Sequence, residues 1–379
     1  MSDRSAVRYH RLQLVLGVAG LALDAVVLGA LAWMGGAHAM ADVARRATSM
    51  WWIEVAAVAV GVGAASAVVG FPLAWLRGYH LPRQYGLLHQ PIGAWLLDRA
   101  KAAALGGAFA LVTVEVIYLL LRTSALWWLI AAAIVWGLSV VVATVFPVVI
   151  VPLFYRLTPL GDADLRARLL ALAARAGVPA MDVFVVDHSR KSRTANAALA
   201  GIGRTRRIIL FDTLVRDFTA SEIEAVLAHE LAHQVHRDLW RGLAAQAVIT
   251  VASFWIAHQV LRATAAPLGL VTIADPAGLP WLALVIGAVG ILALPVMNGL
   301  SRHMERQADD FAFRFADPEA FIGAMERLAS INLAERRPSR LKEVLLHSHP
   351  ALDRRIARAR AAATRLECSS GRAVRLDPG

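Results

Sequence analysis

Six long apolar runs divide the chain, and polar segments separate them. The runs lie at about residues 12–34, 52–75, 102–121, 126–154, 243–261 and 280–297. A helix needs about 20 apolar residues to cross a hydrocarbon core about 30 Å thick. Each run therefore predicts a transmembrane helix. The first run is longer than the apolar region of a cleaved signal peptide, which spans about 7–15 residues, so it is predicted to be an anchor.

The polar segments carry both helical and strand patterns. Apolar residues recur at helical spacing over 165–172, and β-branched apolar runs at 181–187 and 207–211 predict strands. Between these strands, the small residues of 196–203 predict a third strand with an accessible edge. The predicted fold class is mainly α: a polytopic membrane helical bundle of about six transmembrane helices, with a small β-sheet.

Two polar helices complete the expected secondary structure. One begins near Ala220, with Ser221 as the predicted N-cap and Glu224, three residues later, as its capping-box partner. The other is predicted over 301–315, after the last apolar run.

Composition and charge agree with a membrane protein. Of the 379 residues, 58% are hydrophobic and 18% are charged, which is too apolar for a soluble domain of this length. The formal net charge is +11, and basic residues precede the first run and lie between the second and third, which marks those segments as cytoplasmic. Four spans return the chain to the same side before residue 155. The basic residues there are expected to meet anionic lipid headgroups, and no nucleic-acid partner is expected.

Residues 228–236 read AHELAHQVH and contain the pattern H-E-x-x-H at His229, Glu230 and His233. Residues four apart share one face of a helix, so both imidazoles can bind one zinc ion, with Glu230 beside them. Zinc lowers the pKa of a bound water toward about 7, and the carboxylate can remove its proton during attack on a peptide carbonyl. The motif predicts hydrolysis of peptide bonds without a covalent intermediate.

A catalytic zinc needs a third protein ligand, and Glu305 is the predicted one. Asp309 lies one helical turn further on and can hydrogen-bond the outer nitrogen of a ligating histidine. His236 is a competing ligand, although a place on the polar face of its helix is favoured. The single cysteine, Cys368, rules out a cysteine-rich metal site. We therefore expect one Zn2+ per chain, held by His and carboxylate.

These residues resemble the type I CAAX prenyl protease family, which are integral-membrane zinc endopeptidases that act on prenylated protein C-termini. Ordered matches cover most of the chain. In the first half they are Tyr85-Gly86, Asp98, Lys101 and the run PLFYRLTPL at 152–160. In the second half they are Asn196-Ala197, RIILFDTL at 207–214, the zinc motif, Ser301-Arg302, Glu305, Ala308-Asp309 and Ser348-His349-Pro350.

The resemblance implies a zinc site that faces an enclosed chamber between the membrane helices. It implies that substrate pairs along a strand edge around Asn196 and Ala197, which is β-augmentation. It places His349 near the cleft, where this side chain would steady the developing oxyanion. It assigns Asp309 as the proton donor, whereas the spacing alone supports only an orienting role.

Two domains are expected: residues 1–154 with four transmembrane helices, and residues 155–379, a zinc metallopeptidase domain on the cytoplasmic side that includes the spans at about 243–261 and 280–297. The Ala-rich and Arg-rich composition is bacterial in character, which indicates a bacterial inner membrane. Bacteria have no general CAAX prenylation pathway. The natural substrate therefore stays open: a peptide or protein, lipid-modified or not.

Two other functions fit parts of the pattern. A membrane quality-control metalloprotease shares H-E-x-x-H and the third-ligand glutamate, but the matches at Tyr85-Gly86 and 152–160 favour the CAAX type. A transporter or scaffold with a structural or absent metal site would place several ionisable groups within its spans. The spans here contain few, chiefly Asp24, Glu54, Glu115 and His258.

Overall fold

The structure, a computed structural model, describes residues 3–145, 149–201 and 206–374. In chain order its helices are α1 (Asp3–Trp33), α2 (Gly36–Ala47), α3 (Trp51–Trp75), α4 (Leu81–Gln84), α5 (Ile92–Thr123), α6 (Trp127–Val145), α7 (Val151–Phe154), α8 (Ala163–Arg175), α9 (Asp212–Asp217), α10 (Ala220–Val235), α11 (Asp238–Thr264), α12 (Leu279–Phe315), α13 (Pro318–Ile331), α14 (Arg340–Leu346) and α15 (Leu352–Val374). The strands are β1 (Leu157–Pro159), β2 (Asp182–Val186), β3 (Ala197–Ala200) and β4 (Arg207–Phe211). A π-helical turn, Leu76–His80, joins α3 to α4.

Six helices of the described residues are long and apolar enough to cross a membrane: α1, α3 with its continuation to Gln84, α5, α6, α11 and α12. The six predicted spans are confirmed in number and order. The fourth run was predicted to continue to residue 154; the described part of α6 reaches Val145 and the chain is helical again at Val151–Phe154 (α7), so the continuity between them stays a prediction. Residues 146–148 lie outside the described residues.

The membrane spans of the two halves share one apolar core. Side chains of the first spans, such as Leu28 and Val58, and Trp127 of α6 are buried together with Phe254 of α11 and Leu282 of α12. Helices α11 and α12 are therefore anchored among the N-terminal spans: α11 carries the chain from the polar region into this core, and α12 carries it back.

Helix α12 is much longer than expected. It runs for 37 residues without a break, from the last apolar run through the segment 301–315 that was predicted as a separate helix. The change from apolar to polar composition after Met297 marks the end of the lipid-facing part of the helix and not the end of the helix itself. Glu305 and Asp309 are consequently carried on a rigid continuation of a membrane span.

The strands form one sheet in the order β1-β2-β4-β3, with β2 and β4 parallel and the outer pairs antiparallel. The strands predicted at 181–187 and 207–211 are confirmed. The third forms Ala197–Ala200 at the edge of the sheet, and the last part of its predicted range, 202–205, lies outside the described residues. Strand β1 was not predicted, because three residues are too few to show an alternating pattern. Leu210 of β4 is fully buried in a core cluster that also contains residues of α10.

Helix α10 begins at Ala220, but its capping box differs from the prediction. Thr219 is the N-cap: its backbone N–H donates to Glu222 Oε2 at 2.7 Å, and its hydroxyl accepts from the Glu222 N–H at 3.3 Å. The prediction of Ser221 with Glu224 was wrong because the same spacing occurs two residues earlier in the sequence. Glu224 instead accepts a hydrogen bond from Arg168 at 2.7 Å.

Candidate metal centre

Helices α10 and α12 pack together and bring the three predicted ligands to one place. His229 and His233 lie one turn apart on α10, and Glu305 faces them from α12. One donor atom from each residue can be chosen so that all three lie within 4.8 Å of one another. His229 Nε2 is 3.3 Å from Glu305 Oε2, and His233 Nε2 is 3.6 Å from Glu305 Oε1.

The donor set fits a metal ion. Glu305 Oε2 is buried and makes no well-formed hydrogen bond with any other described residue, although His349 Nδ1 lies 2.8 Å away. An unsatisfied buried carboxylate oxygen is unfavourable unless a cation or a donor compensates it. Two imidazole nitrogens and a carboxylate oxygen are suitable ligands for a divalent transition metal, and three protein ligands leave a coordination position open.

A carboxylate and an arginine orient His229 through its Nδ1 atom, the ring nitrogen that does not face Glu305. Asp309 Oδ1 lies 3.1 Å from His229 Nδ1. Arg355 donates to both oxygens of Asp309, from Nη2 to Oδ1 at 2.7 Å and from Nε to Oδ2 at 3.0 Å. Asp309 has no exposed surface. The pair therefore fixes the orientation of the imidazole, since a carboxylate on the outer nitrogen sets both the tautomer and the angle of the ring.

A second carboxylate–arginine pair holds His233 in the same way. Asp238 Oδ2 lies 2.9 Å from His233 Nδ1, and Arg241 donates to Asp238 Oδ1 at 2.8 Å. Arg237, between the two helices, adopts the left-handed conformation with φ 56°, and this reverses the chain so that α11 begins beside the end of α10.

Sequence reasoning missed Asp238, Arg241 and Arg355. Only Asp238 had a signal in the sequence: it is an acidic residue five positions after His233, close enough along the chain to contact it.

The pKa values of two groups reflect this crowding. Burial lowers the pKa of His229, but the nearby Asp309 and Glu305 carboxylates outweigh burial and raise the pKa to about 9. A histidine must be neutral to bind a metal ion, so metal binding competes with protonation of this imidazole. Burial raises the pKa of the Glu230 carboxyl, and the two motif histidines oppose that change. A raised pKa suits a carboxylate that accepts a proton near neutral pH.

The two further histidines occupy different positions. His349 is 61% exposed and reaches the site through the contact of its Nδ1 with Glu305. His236, which was weighed as a competing ligand, lies at the C-terminal end of α10 with its ring edge-on to Phe311 at 5.9 Å. It does not belong to the group of possible ligands that the described residues form.

A cavity of about 350 Å³ opens at the metal group. Its polar lining includes His229 and Glu230 from the motif helix, Asn196 from just before β3, and His349 from the segment between α14 and α15. Apolar side chains cover another part of the wall: Val226, Met325, Leu328 and Leu352. His10 of α1 also lines the cavity, and its Nε2 lies 2.8 Å from the carbonyl oxygen of Leu333. The first membrane helix thus contributes to the wall, which the sequence did not indicate.

Strand β3 presents a free edge near this cavity. Phe211 N–H donates to the carbonyl of Asn196 at 3.0 Å, so the backbone of Asn196 faces β4. Because antiparallel pairs alternate, the N–H and C=O groups of Ala197 and Leu199 face outward. Within the described part of the chain, no element pairs with that side of β3.

The side chain of Asn332 closes one end of the free edge. Its Oδ1 accepts from Ala195 N–H at 3.0 Å, and its Nδ2 donates to Ala195 C=O at 3.1 Å. An amide that bonds both groups of one residue occupies the place that a neighbouring strand would take. The open pairing positions therefore begin at Ala197.

The fold and the site together define a membrane-embedded metalloprotease. The chain belongs to peptidase family M48, whose family model matches residues 159–363. A second family model, described as the CAAX prenyl protease N-terminal region with five membrane helices, matches residues 4–156. Those residues contain four of the six candidate spans of the described structure.

Individual relatives agree with this assignment. The chain is 30% identical over 298 residues to an uncharacterized metalloprotease of Bacillus subtilis, YhfN, covering 77% of this chain and 70% of the relative. It is 28% identical over 319 residues to CAAX prenyl protease 1 of Saccharomyces cerevisiae, covering 77% and 68%. The crystal structure of S. mikatae Ste24p matches with a TM-score of 0.81 at 23% identity, covering 95% of this chain and 90% of that one. The predicted family and fold class are confirmed.

Proposed function

We propose that this protein is a zinc-dependent endopeptidase, with one Zn2+ per chain held by His229, His233 and Glu305. The observation that carries the proposal is the convergence of these three donors within 4.8 Å, beside a cavity that His229 and Glu230 line. When bound, zinc supplies a Lewis acid that lowers the pKa of water and polarises a carbonyl oxygen.

Glu230 is the proposed general base, and the two outer carboxylates position the ligands. Glu230 takes the proton from the attacking water and can return it to the leaving amine. Asp309 is fully buried, does not line the cavity and is held at both oxygens by Arg355. A proton donor must reach the leaving group, so these contacts support the orienting role for Asp309, with Asp238 acting likewise on His233.

The substrate backbone pairs with the free edge of β3 in this proposal. The outward N–H and C=O groups of Ala197 and Leu199 offer main-chain partners, and Asn196, which precedes Ala197, lines the cavity together with His229 and Glu230. Pairing of this kind gives affinity without reading side chains. His349 lies beside Glu305 on the cavity wall, a place from which it can donate to a developing oxyanion.

The proposed substrates are peptides or proteins at the membrane surface, including lipid-modified ones. The relatives named as CAAX prenyl proteases support a prenylated peptide as the first probe. The Ala-rich and Arg-rich composition supports a bacterial inner membrane. The distribution of basic residues supports a catalytic region, residues 155–379, on the cytoplasmic side, with residues 1–154 as a membrane domain. No nucleic-acid partner is proposed.

Glu230→Gln tests the function directly. The variant should keep its metal, because Glu230 is not a proposed ligand, and should cleave a quenched peptide about 100- to 10,000-fold more slowly than wild type. The peptide is prepared with and without a prenyl group. Wild-type cleavage of both forms at equal rates would assign a broader, quality-control type of substrate. Cleavage by Glu230→Gln at the wild-type rate would remove Glu230 from the mechanism.

A further inference from the structure

A second cavity, of about 240 Å³, shares Arg355 and Pro350 with the catalytic one. Its lining is strongly basic, with arginines from three helices: Arg302, Arg306, Arg340, Arg354, Arg355 and Arg358. A single acidic residue, Glu343, also lines it. Nothing in the proposed hydrolysis uses this cavity, so its charge needs a separate explanation.

Half of these arginines have acidic partners. Arg355 pairs with Asp309 at 2.7 Å and Arg358 with Asp310 at 2.6 Å. Arg354 contacts Glu343. These three charges are compensated within the protein.

The other three arginines are not compensated by a described carboxylate. Arg302 Nη1 donates to the backbone carbonyls of Glu343 at 2.8 Å and His347 at 2.6 Å, which are neutral groups. Arg306 and Arg340 are exposed at the mouth of the cavity, and no ion pair joins either of them to a described residue. Three guanidinium groups therefore surround the cavity without counter-charges, which favours an anionic ligand.

Arg302, one of the three uncompensated arginines of the cavity, lies at the expected depth of the lipid headgroups. Arg302 follows the end of the apolar run, Met297, by five residues, or about 7.5 Å along a helix. The headgroup region on each side of the hydrocarbon core is about 5–8 Å thick. An independent marker comes from α11, where Arg241 donates to Gln307 of α12 at 2.8 Å. The residue before Arg241 is Trp240, which is 49% exposed, and tryptophans are enriched at membrane interfaces.

An exposed apolar surface adjoins the cavity. Helix α14, which carries Arg340, is tied to the end of the membrane span because Asn298 Nδ2 donates to the carbonyl of Leu345 at 2.8 Å. Its large apolar side chains are exposed: Leu341 is 71% exposed, Val344 44%, Leu345 37% and Leu346 45%. A short helix with exposed leucines beside arginines has the composition of a helix that lies at a membrane interface.

We propose that this cavity binds the phosphate of an anionic phospholipid headgroup, with the acyl chains against the exposed side of α14. Arg306 and Arg340 donate charge-assisted hydrogen bonds to the phosphate oxygens, and Arg302 adds its positive charge. The apolar surface of α14 favours a lipid over a free phosphate ion, because only the lipid covers both parts of the site. Basic pockets beside membrane helices bind anionic headgroups in this manner.

The test measures binding of a fluorescent phosphatidylglycerol to the purified full-length protein in neutral detergent. The cavity variant combines Arg306→Gln with Arg340→Gln. The control combines Arg175→Gln with Arg365→Gln, which removes the same charge from two exposed sites outside the cavity lining. The cavity variant should bind phosphatidylglycerol at least about tenfold more weakly, and the control should match wild type.

Competition identifies the ligand. Unlabelled phosphatidylglycerol should displace the probe, whereas phosphatidylcholine and inorganic phosphate at the same concentration should not. Leu341→Asn should also weaken binding, since it removes apolar contact without changing charge. Equal binding by the cavity variant and its control would overturn the site. Displacement by inorganic phosphate as effective as by the lipid would overturn the lipid assignment and leave a free-anion site.

Discussion

Replacing Asp309 by Asn tests whether the carboxylate behind His229 matters for metal binding. The change keeps the shape of the side chain but removes the negative charge that lies 3.1 Å from His229 Nδ1. Loss of such an outer carboxylate reduces metal affinity by about 10- to 100-fold, which corresponds to about 1.4–2.7 kcal/mol. The apparent Zn2+ affinity of Asp309→Asn should fall by that amount.

The same substitution should lower the free energy of unfolding. Arg355 loses the partner that its Nη2 contacts at 2.7 Å and remains buried in the protein. Removal of one partner from a buried ion pair costs about 3–5 kcal/mol. Glu305 Oε2 lies 3.9 Å from Arg355 Nη2 and compensates part of the charge, so we expect the lower end of that range.

Chelator competition measures the affinity, and thermal denaturation in detergent measures the stability. The matched control is Asp310→Asn, the same change at the next residue of α12, where the carboxylate is 53% exposed and pairs with Arg358. This control should change neither quantity appreciably, since exposed pairs contribute about 0–1 kcal/mol. Equal zinc affinity in Asp309→Asn and Asp310→Asn would refute the orienting role of Asp309.

Two further pairs of substitutions test the local structure around the site. Thr219→Ala should lower the free energy of unfolding by about 1 kcal/mol, because it removes the N-cap of α10. Ser221→Ala should change the free energy of unfolding by less than about 0.5 kcal/mol. Equal effects of the two variants in thermal denaturation would contradict the observed cap. Leu199→Pro removes an outward N–H and should raise KM for peptide cleavage with zinc content unchanged. The comparison variant Ala198→Pro removes an N–H that faces β4 and should instead destabilise the sheet. An unchanged KM in Leu199→Pro would argue against substrate pairing at this edge.

The membrane spans and the motif helix could be predicted because their signals are local. An apolar run of about 20 residues predicts a membrane span, and a pair of histidines four apart predicts a metal site. Each pattern lies within a single helix. Glu305 could be predicted from its relation to Asp309, since the two share one face of α12. The cap of α10 was misplaced because two overlapping sequences, beginning at Thr219 and Ser221, satisfy the same spacing.

The supporting contacts could not be read from local patterns. Arg355 lies 46 residues beyond Asp309, and only the packing of α15 against α12 brings the two together. The role of Asn332 likewise depends on a contact with Ala195, 137 residues away. Helix α2 was missed because its 12 residues are too short and too polar for a span and lie between two much stronger signals.

The central claim is that His229, His233 and Glu305 hold a catalytic zinc ion. The most direct measurement is the zinc content per chain of the detergent-purified protein, for wild type, Glu305→Ala and the control His236→Ala, with peptide cleavage followed in the same samples. We predict one zinc per chain and chelator-sensitive cleavage in wild type and His236→Ala, and loss of both in Glu305→Ala. Full zinc occupancy in Glu305→Ala, or none in wild type, would contradict the proposed site.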